Sequence, residues 1–127
     1  MTPEQKLKWA ILLRARELAG MPPENVTAEN VDELYDSLVN ADGHWDAQEE
    51  VRNSGEKVDV PCTEYSRHYE CDSVAAQMPD GSWVGWTYWY GGGKHSEPSS
   101  IDWMDKAYDL SCTEEQKMVT IRSFAKI

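Results

Sequence analysis

The sequence contains few cysteines, a single phenylalanine and no long apolar run. The three cysteines among its 127 residues, Cys62, Cys71 and Cys112, form no C-x-x-C pair, and this odd number favours reduced thiols in a cytosolic protein. Apolar runs of a few residues are far shorter than the roughly 20 residues that cross a bilayer. Charged residues interrupt the N-terminal apolar stretch and no cleavage site follows it, so a signal peptide is not expected. The sequence thus predicts a soluble, intracellular protein without a membrane segment.

Basic residues are also scarce. Twelve lysines and arginines stand against 23 acids, which gives a formal net charge of −11 at pH 7. The imbalance is concentrated in residues 24–59, where eleven acids accompany only Arg52 and Lys57. Such a surface repels polyanions, so direct binding to nucleic acid is not expected. It suits a partner with a basic surface, or it serves only to keep the protein in solution.

The sequence lacks recognisable catalytic and cofactor motifs. The C-x5-H-x2-C run at residues 62–71 is not a zinc-site spacing. The run Gly91–His95 lacks the G-x4-G-K-S/T frame of a phosphate-binding loop, and no nucleophile elbow occurs. We therefore expect no metal, no cofactor and no catalytic residue. One alternative stays open, in which this loop binds a small ligand or forms an enzymatic site through Lys94 and His95.

Helical patterns occupy the N-terminal part of the chain. Thr2, Pro3 and Gln5 match a capping box with proline at the first helical position, and this helix is expected to end at Gly20. Apolar residues of the first helix line one face that includes Leu18. A second helix is expected to begin after Thr27, and a third, weaker one after Asp42, ending near residues 53–55.

Strand patterns follow from about residue 58. Residues 69–78 and 83–90 are expected to form a hairpin around the turn Pro79–Ser82, followed by a short helix at residues 99–106. A second hairpin is expected from residues 107–112 and 118–125. The prediction is an α+β fold in one domain, 1–127, with N-terminal helices packed on an antiparallel sheet of three to four strands and one short inserted helix. Residues 1–57 would be mainly helical and acidic, and residues 58–127 mainly β.

Two candidate partner-binding surfaces emerge from these patterns. The first is an acidic face, which is either the solvated side of amphipathic helices or a mimic of nucleic-acid phosphates. The second is the aromatic hairpin and its loop, because exposed Trp and Tyr anchor protein interfaces, although most of these rings are expected to fill the core. The acidic candidates are Glu29, Asp32, Glu33, Asp36, Asp42, Asp46, Glu49 and Glu50. The hairpin candidates are Trp83, Trp86, Trp89, Tyr90, Lys94 and His95.

The stretch VAAQMPDGSWVGWTYWYGGGKHSEPSSIDWM and the following AYDLSC, within residues 74–112, resemble small proteins encoded by bacteriophages and prophages. The resemblance implies a phage origin and the cytoplasm of a bacterial host cell, and it carries over no functional residue. With the charge pattern, it leads to a non-catalytic protein that binds a basic host protein and interferes with a host defence or nucleic-acid-handling protein. The alternatives are the Gly91–His95 ligand site and an oligomeric phage accessory protein, and the oligomeric state is not assigned.

Overall fold

Three helices precede an antiparallel sheet. The structure, a computed structural model, describes residues 1–92, 98–116 and 118–127. The helices are α1 (Pro3–Leu18), α2 (Val31–Asn40) and α3 (Trp45–Asn53). The strands β1 (Glu56–Lys57), β2 (Glu70–Gln77), β3 (Trp83–Tyr90) and β4 (Tyr108–Leu110) form one sheet in the order β1-β2-β3-β4, and all neighbouring strands are antiparallel. The predicted α+β class is confirmed.

Helix α1 begins and ends where the sequence predicts. Thr2 accepts a hydrogen bond from the Gln5 backbone N–H, and Gln5 accepts one from the Thr2 backbone N–H, which completes the capping box. Gly20 follows the helix with φ +67°, and the Met21 N–H donates to the Arg16 carbonyl oxygen, as in a Schellman motif. Leu7 and Ile11 of this helix are fully buried. Leu18 was expected on the same buried face, but it is exposed and lies outside the core.

Helix α2 begins four residues after the predicted cap, Thr27. Thr27 and Asn30 exchange side-chain to backbone hydrogen bonds, and this local turn precedes the helix. Helix α2 ends in the same Schellman geometry as α1, with Asp42 at φ +55° in place of glycine and the Gly43 N–H donating to the Leu38 carbonyl oxygen. Helix α3 follows directly, as predicted.

The hairpin of β2 and β3 is the centre of the sheet. Its register pairs Gln77 with Trp83 at the turn and Glu70 with Tyr90 at the open end. Gly81 takes φ +87°, and Asp80 accepts hydrogen bonds from the backbone and side chain of Ser82, so the predicted turn is confirmed.

Other strand predictions are wrong in part. The short strand β1 was not expected, and the predicted helix at residues 99–106 is only a 3-10 turn at Pro98–Ser100. Strand β4 pairs with β3 instead of opening a second hairpin, and no strand forms in the described residues 111–116 and 118–127, all of which are exposed. A segment with alternating apolar residues forms a strand only where a neighbouring strand accepts and donates its backbone hydrogen bonds. The described residues 111–116 and 118–127 have no such neighbouring strand.

One core joins the helices to the sheet. Leu7 and Ile11 from α1 share a buried cluster with Val51 from α3 and Trp86 from β3, and the Trp103 ring lies 5.4 Å from the Trp86 ring. This packing places α2 and α3 around α1, with their acidic faces outward. Across the residues that the structure describes, no helix combines the length and the apolar character needed to span a bilayer.

Candidate interaction surface

The eight predicted acidic candidates are all exposed, but they lie in two groups. The α2 group is Glu29, Asp32, Glu33 and Asp36, and the α3 group is Asp42, Asp46, Glu49 and Glu50. Lys8 of α1 pairs with Asp32 and Arg14 of α1 pairs with Glu50. Six residues separate these two bases, which places them about 120° apart around the helix. The expected single row of carboxylates is therefore divided between two sides of α1.

The fold itself accounts for two carboxylates of the α2 group. Asp32 accepts hydrogen bonds from Lys8 Nζ at 2.9 Å and from Gln5 Nε2 at 3.1 Å, and these bonds lower the pKa of its carboxyl. Asp32 and Glu33 also lie in the first turn of α2, where negative charge is favoured by the helix dipole. These carboxylates have a structural explanation without any partner.

Two carboxylates of the α3 group form internal ion pairs, whereas among the described residues only Asp32 does so in the α2 group. Glu50 pairs with Arg14, and hydrogen bonds from that guanidinium lower the pKa of the Glu50 carboxyl. Glu49 Oε1 lies 3.7 Å from Arg52 Nη1 and accepts a hydrogen bond from Asn53 Nδ2. Asp42 and Asp46 form no ion pair with any residue that the structure describes. Two carboxylates of this group thus carry unbalanced charge.

Asp42 occupies a position where the dipole of α2 disfavours its charge. It stands at the left-handed residue after the end of α2, beside the last carbonyl groups of that helix, where a negative charge is unfavourable. The last turn of α2 contains no basic residue to offset this repulsion, and α3 receives no side-chain hydrogen bond at its own N-cap. The equivalent position after α1 is Gly20. The Asp42 carboxylate is therefore a local conflict, and such conflicts concentrate at functional sites.

Two exposed apolar side chains lie among the carboxylates of the α3 group. Trp45, the first residue of α3, is 64% exposed, and Leu18, the last residue of α1, is 47% exposed. Leu18, Trp45, Asp42 and Asp46 line one hollow of about 450 Å³, and Leu18, Asp46, Glu49 and Glu50 line a second of about 490 Å³. We call these six residues together the Trp45 surface.

The Trp45 surface combines an apolar centre with an acidic border. The indole face attracts a cation at close range through its quadrupole, and the surrounding carboxylates accept hydrogen bonds from lysine or arginine. A tryptophan surrounded by polar groups is the usual composition of an interface hot spot. The arrangement suits a protein segment in which basic and apolar side chains alternate.

The aromatic hairpin contributes less surface than the sequence suggested. Trp86 is 0% exposed and Trp89 is 5% exposed, so neither is available for a first contact with a partner. Trp83 and Tyr90 are half-buried and stay candidates. Of the Gly91–His95 loop, Gly91 and Gly92 take positive φ angles, and Lys94 and His95 lie outside the described residues.

The cysteine prediction is wrong for two of the three residues. Cys62 and Cys71 are joined by a disulfide bond, whereas Cys112 is free and exposed. The bond joins the segment before β2 to the second residue of that strand. The odd number of cysteines and their irregular spacing did not indicate this bond. It also uses both cysteines of the C-x5-H-x2-C run. The intracellular location was expected in part because the cysteines were predicted to be reduced, and the disulfide bond removes this argument.

Sequence reasoning did not single out Trp45 and Leu18 as candidates for a binding surface. The signal for Trp45 was its position on the helical wheel, because Ala47 and Val51 form the buried side of α3 and Trp45 lies about 120–160° away from them. A tryptophan off the apolar stripe of a short helix indicates exposure. Leu18 gave no comparable signal, since it continues the apolar stripe of α1 and is the last residue of that helix.

No protein-family model, no curated protein and no solved structure matches the chain.

Proposed function

We propose that this protein is of phage or prophage origin and that it acts without catalysis, by binding a basic protein of the bacterial host through the Trp45 surface. Interference with a host defence or nucleic-acid-handling protein is the specific form of this proposal. The partner would supply lysine or arginine side chains with adjacent apolar residues.

The observation that carries the proposal is the Asp42 carboxylate beside an exposed tryptophan. Ordinary solubility would be served equally by an acid placed at a helix N-terminus, where it stabilises the fold. Asp42 instead stands at a helix C-terminus without an ion-pair partner among the described residues, within the same hollow as Trp45 and Asp46. A carboxylate kept where the dipole of the preceding helix disfavours it supports a role in binding.

The charge and the indole would act at different stages of binding. The acidic border and the net charge of −11 would raise the association rate with a basic partner, and salt would screen this effect. The indole would determine the dissociation rate, because a buried tryptophan hot spot contributes about 2 kcal/mol or more. Replacement of Trp45 by alanine would thus weaken binding by about 30-fold or more.

The experiment is retention of host proteins on the immobilised full chain from nuclease-treated bacterial lysate, with elution along a salt gradient. Four proteins are compared: wild type, Trp45→Ala, Asp46→Lys with Glu49→Lys, and Glu33→Lys with Asp36→Lys. The last two change the net charge equally but act on different sides of α1. We expect one basic protein to bind the wild type stoichiometrically and to be lost with the first two variants only.

Equal loss with both double variants would show that only net charge matters, and it would overturn the assignment to the Trp45 surface. Retention that survives Trp45→Ala would overturn it as well. Circular dichroism of each variant serves as the control for folding.

A further inference from the structure

The chain itself contains a segment with the kind of side chains that the proposed partner would supply. Residues 118–127, here called the C-terminal segment, expose five large apolar side chains, and Phe124 and Ile121 are 90% and 88% exposed. The other three are Met118, Val119 and Ile127. Contiguous apolar exposure of this kind in a protein in solution usually marks a contact surface.

The C-terminal segment is also basic, in contrast to the rest of the protein. It contains Arg122 and Lys126 and no acidic side chain. Of the lysines and arginines that the structure describes, only these two and Arg67 form no ion pair. Two of the three unpaired lysines and arginines among the described residues therefore lie in this segment, beside its exposed apolar residues.

The spacing of the C-terminal segment matches the Trp45 surface. In an extended chain, alternate residues share a face, so Arg122, Phe124 and Lys126 point to one side with about 7 Å between neighbours. This face presents an aromatic ring between two cations. The Trp45 surface presents an indole and a leucine between unpaired carboxylates, Asp42 and Asp46. The two surfaces are complementary in charge and in apolar character.

We propose that the C-terminal segment of one copy of the chain occupies the Trp45 surface of a second copy. This inference rests on the proposed function, because it assigns an occupant to the same surface. Within one chain the two elements do not meet, since Phe124 is 90% exposed and Trp45 is 64% exposed. Reciprocal exchange of two segments closes a symmetric dimer. The basic host partner then competes with the segment, and the dimer is the form in which the site is covered.

The test is sedimentation velocity of the full chain over a range of concentrations, at low and high salt. We expect a salt-sensitive equilibrium between one and two chains. Phe124→Ser should weaken dimerisation by at least about tenfold, because it removes the aromatic anchor. Arg122→Glu should weaken it by a similar factor, because it places a negative charge against the carboxylates of the Trp45 surface. Arg67→Glu is the matched control, because it makes the same charge change at an unpaired cation outside the C-terminal segment, and it should leave the equilibrium unchanged. Asp46→Arg combined with Arg122→Glu should restore part of the affinity.

A monomer at every concentration overturns the inference. So does a dimer that Arg122→Glu and Arg67→Glu weaken equally. A monomer in which Arg122→Glu shifts the indole N–H resonance of Trp45 would mean that the segment folds back on its own chain, and it overturns the second-copy assignment.

A separate titration of the Arg122→Glu variant with an oligolysine peptide distinguishes the two proposals. If the peptide binds and Trp45→Ala abolishes this binding, while the wild type is a monomer, only the self-association is overturned. If the peptide does not bind, or binds equally well after Trp45→Ala, the proposed function itself is overturned.

Discussion

The aromatic hairpin and helix α3 both contain tryptophan, but they use it in opposite ways. In the hairpin, Trp86 is fully buried against Trp103 and the helices. In α3, Trp45 is 64% exposed and has only the His44 ring as an aromatic neighbour among the described residues, at 4.3 Å between centroids. The sequence draws attention to the hairpin because aromatics are dense there. Density of aromatics marks the core of this fold, whereas an isolated aromatic on a charged helix marks its surface.

The two regions should differ most in how far replacement of their tryptophan lowers the free energy of unfolding. We expect Trp86→Ala to lower the free energy of unfolding by about 3–5 kcal/mol, because it leaves a large cavity in the shared core. Trp45→Ala should change it by no more than about 0.5 kcal/mol, as is usual for exposed positions. Urea denaturation followed by circular dichroism measures both values. A cost above about 2 kcal/mol for Trp45→Ala would mean that this ring is structural.

The disulfide bond adds a covalent constraint to the hairpin region that α3 lacks. Cys62 and Cys71 are nine residues apart, and closing a loop of this size in the unfolded chain is worth about 2–3 kcal/mol. We expect replacement of both by alanine to lower the free energy of unfolding by that amount. Cys112→Ser should have no effect, because Cys112 is free and exposed. Reducing agent should destabilise the wild type and leave the double variant unchanged, and an equal effect on both proteins would contradict this role.

Local signals predicted most of the fold. The capping box of α1 and the Asp-Gly turn each occur within a few residues, so their geometry was readable from the sequence. Strand β4 and the C-terminal segment depend on which distant strand is available for pairing, and alternation alone does not indicate this. Charge predicted the eight acidic candidates, but not their division by α1. The Trp45 surface also depends on the exposure of Leu18, which the packing of the three helices determines and a local pattern does not indicate.

Within the Trp45 surface, Asp42 and Asp46 provide a test in which two similar substitutions have opposite effects. Asp42→Asn should raise the free energy of unfolding by about 0.3–1 kcal/mol at low salt, because it removes a negative charge at the C-terminal end of α2 while asparagine still accepts positive φ. Asp46→Asn should lower it by a similar amount, because Asp46 lies in the first turn of α3. Both variants should weaken binding of a cationic peptide.

Thermal and urea unfolding at low and high salt measure these two changes. Both should shrink as salt rises, since the helix-dipole effect is screened. Destabilisation by Asp42→Asn would mean that the carboxylate favours folding, and the main support for the proposed function would be lost.

The smallest expected effect concerns Glu50, the carboxylate of the Trp45 surface that is held by Arg14. Hydrogen bonds from Arg14 lower the pKa of Glu50, so this pair stabilises the protein above the ordinary carboxyl pKa and ceases to do so as pH falls through the lowered value. Arg14→Met should return the pKa of Glu50 toward its ordinary value, which a carboxyl NMR titration measures. The stability difference between wild type and variant should vanish in acid.

Glu17→Gln is the matched control, because it removes the other carboxylate bonded to Arg14 and should leave the pKa of Glu50 lowered. Release of Glu50 should also tighten oligolysine binding slightly, by roughly twofold or less for an exposed pair. Weaker binding after Arg14→Met would instead mean that Arg14 is needed to hold Glu50 in the position where the partner meets it.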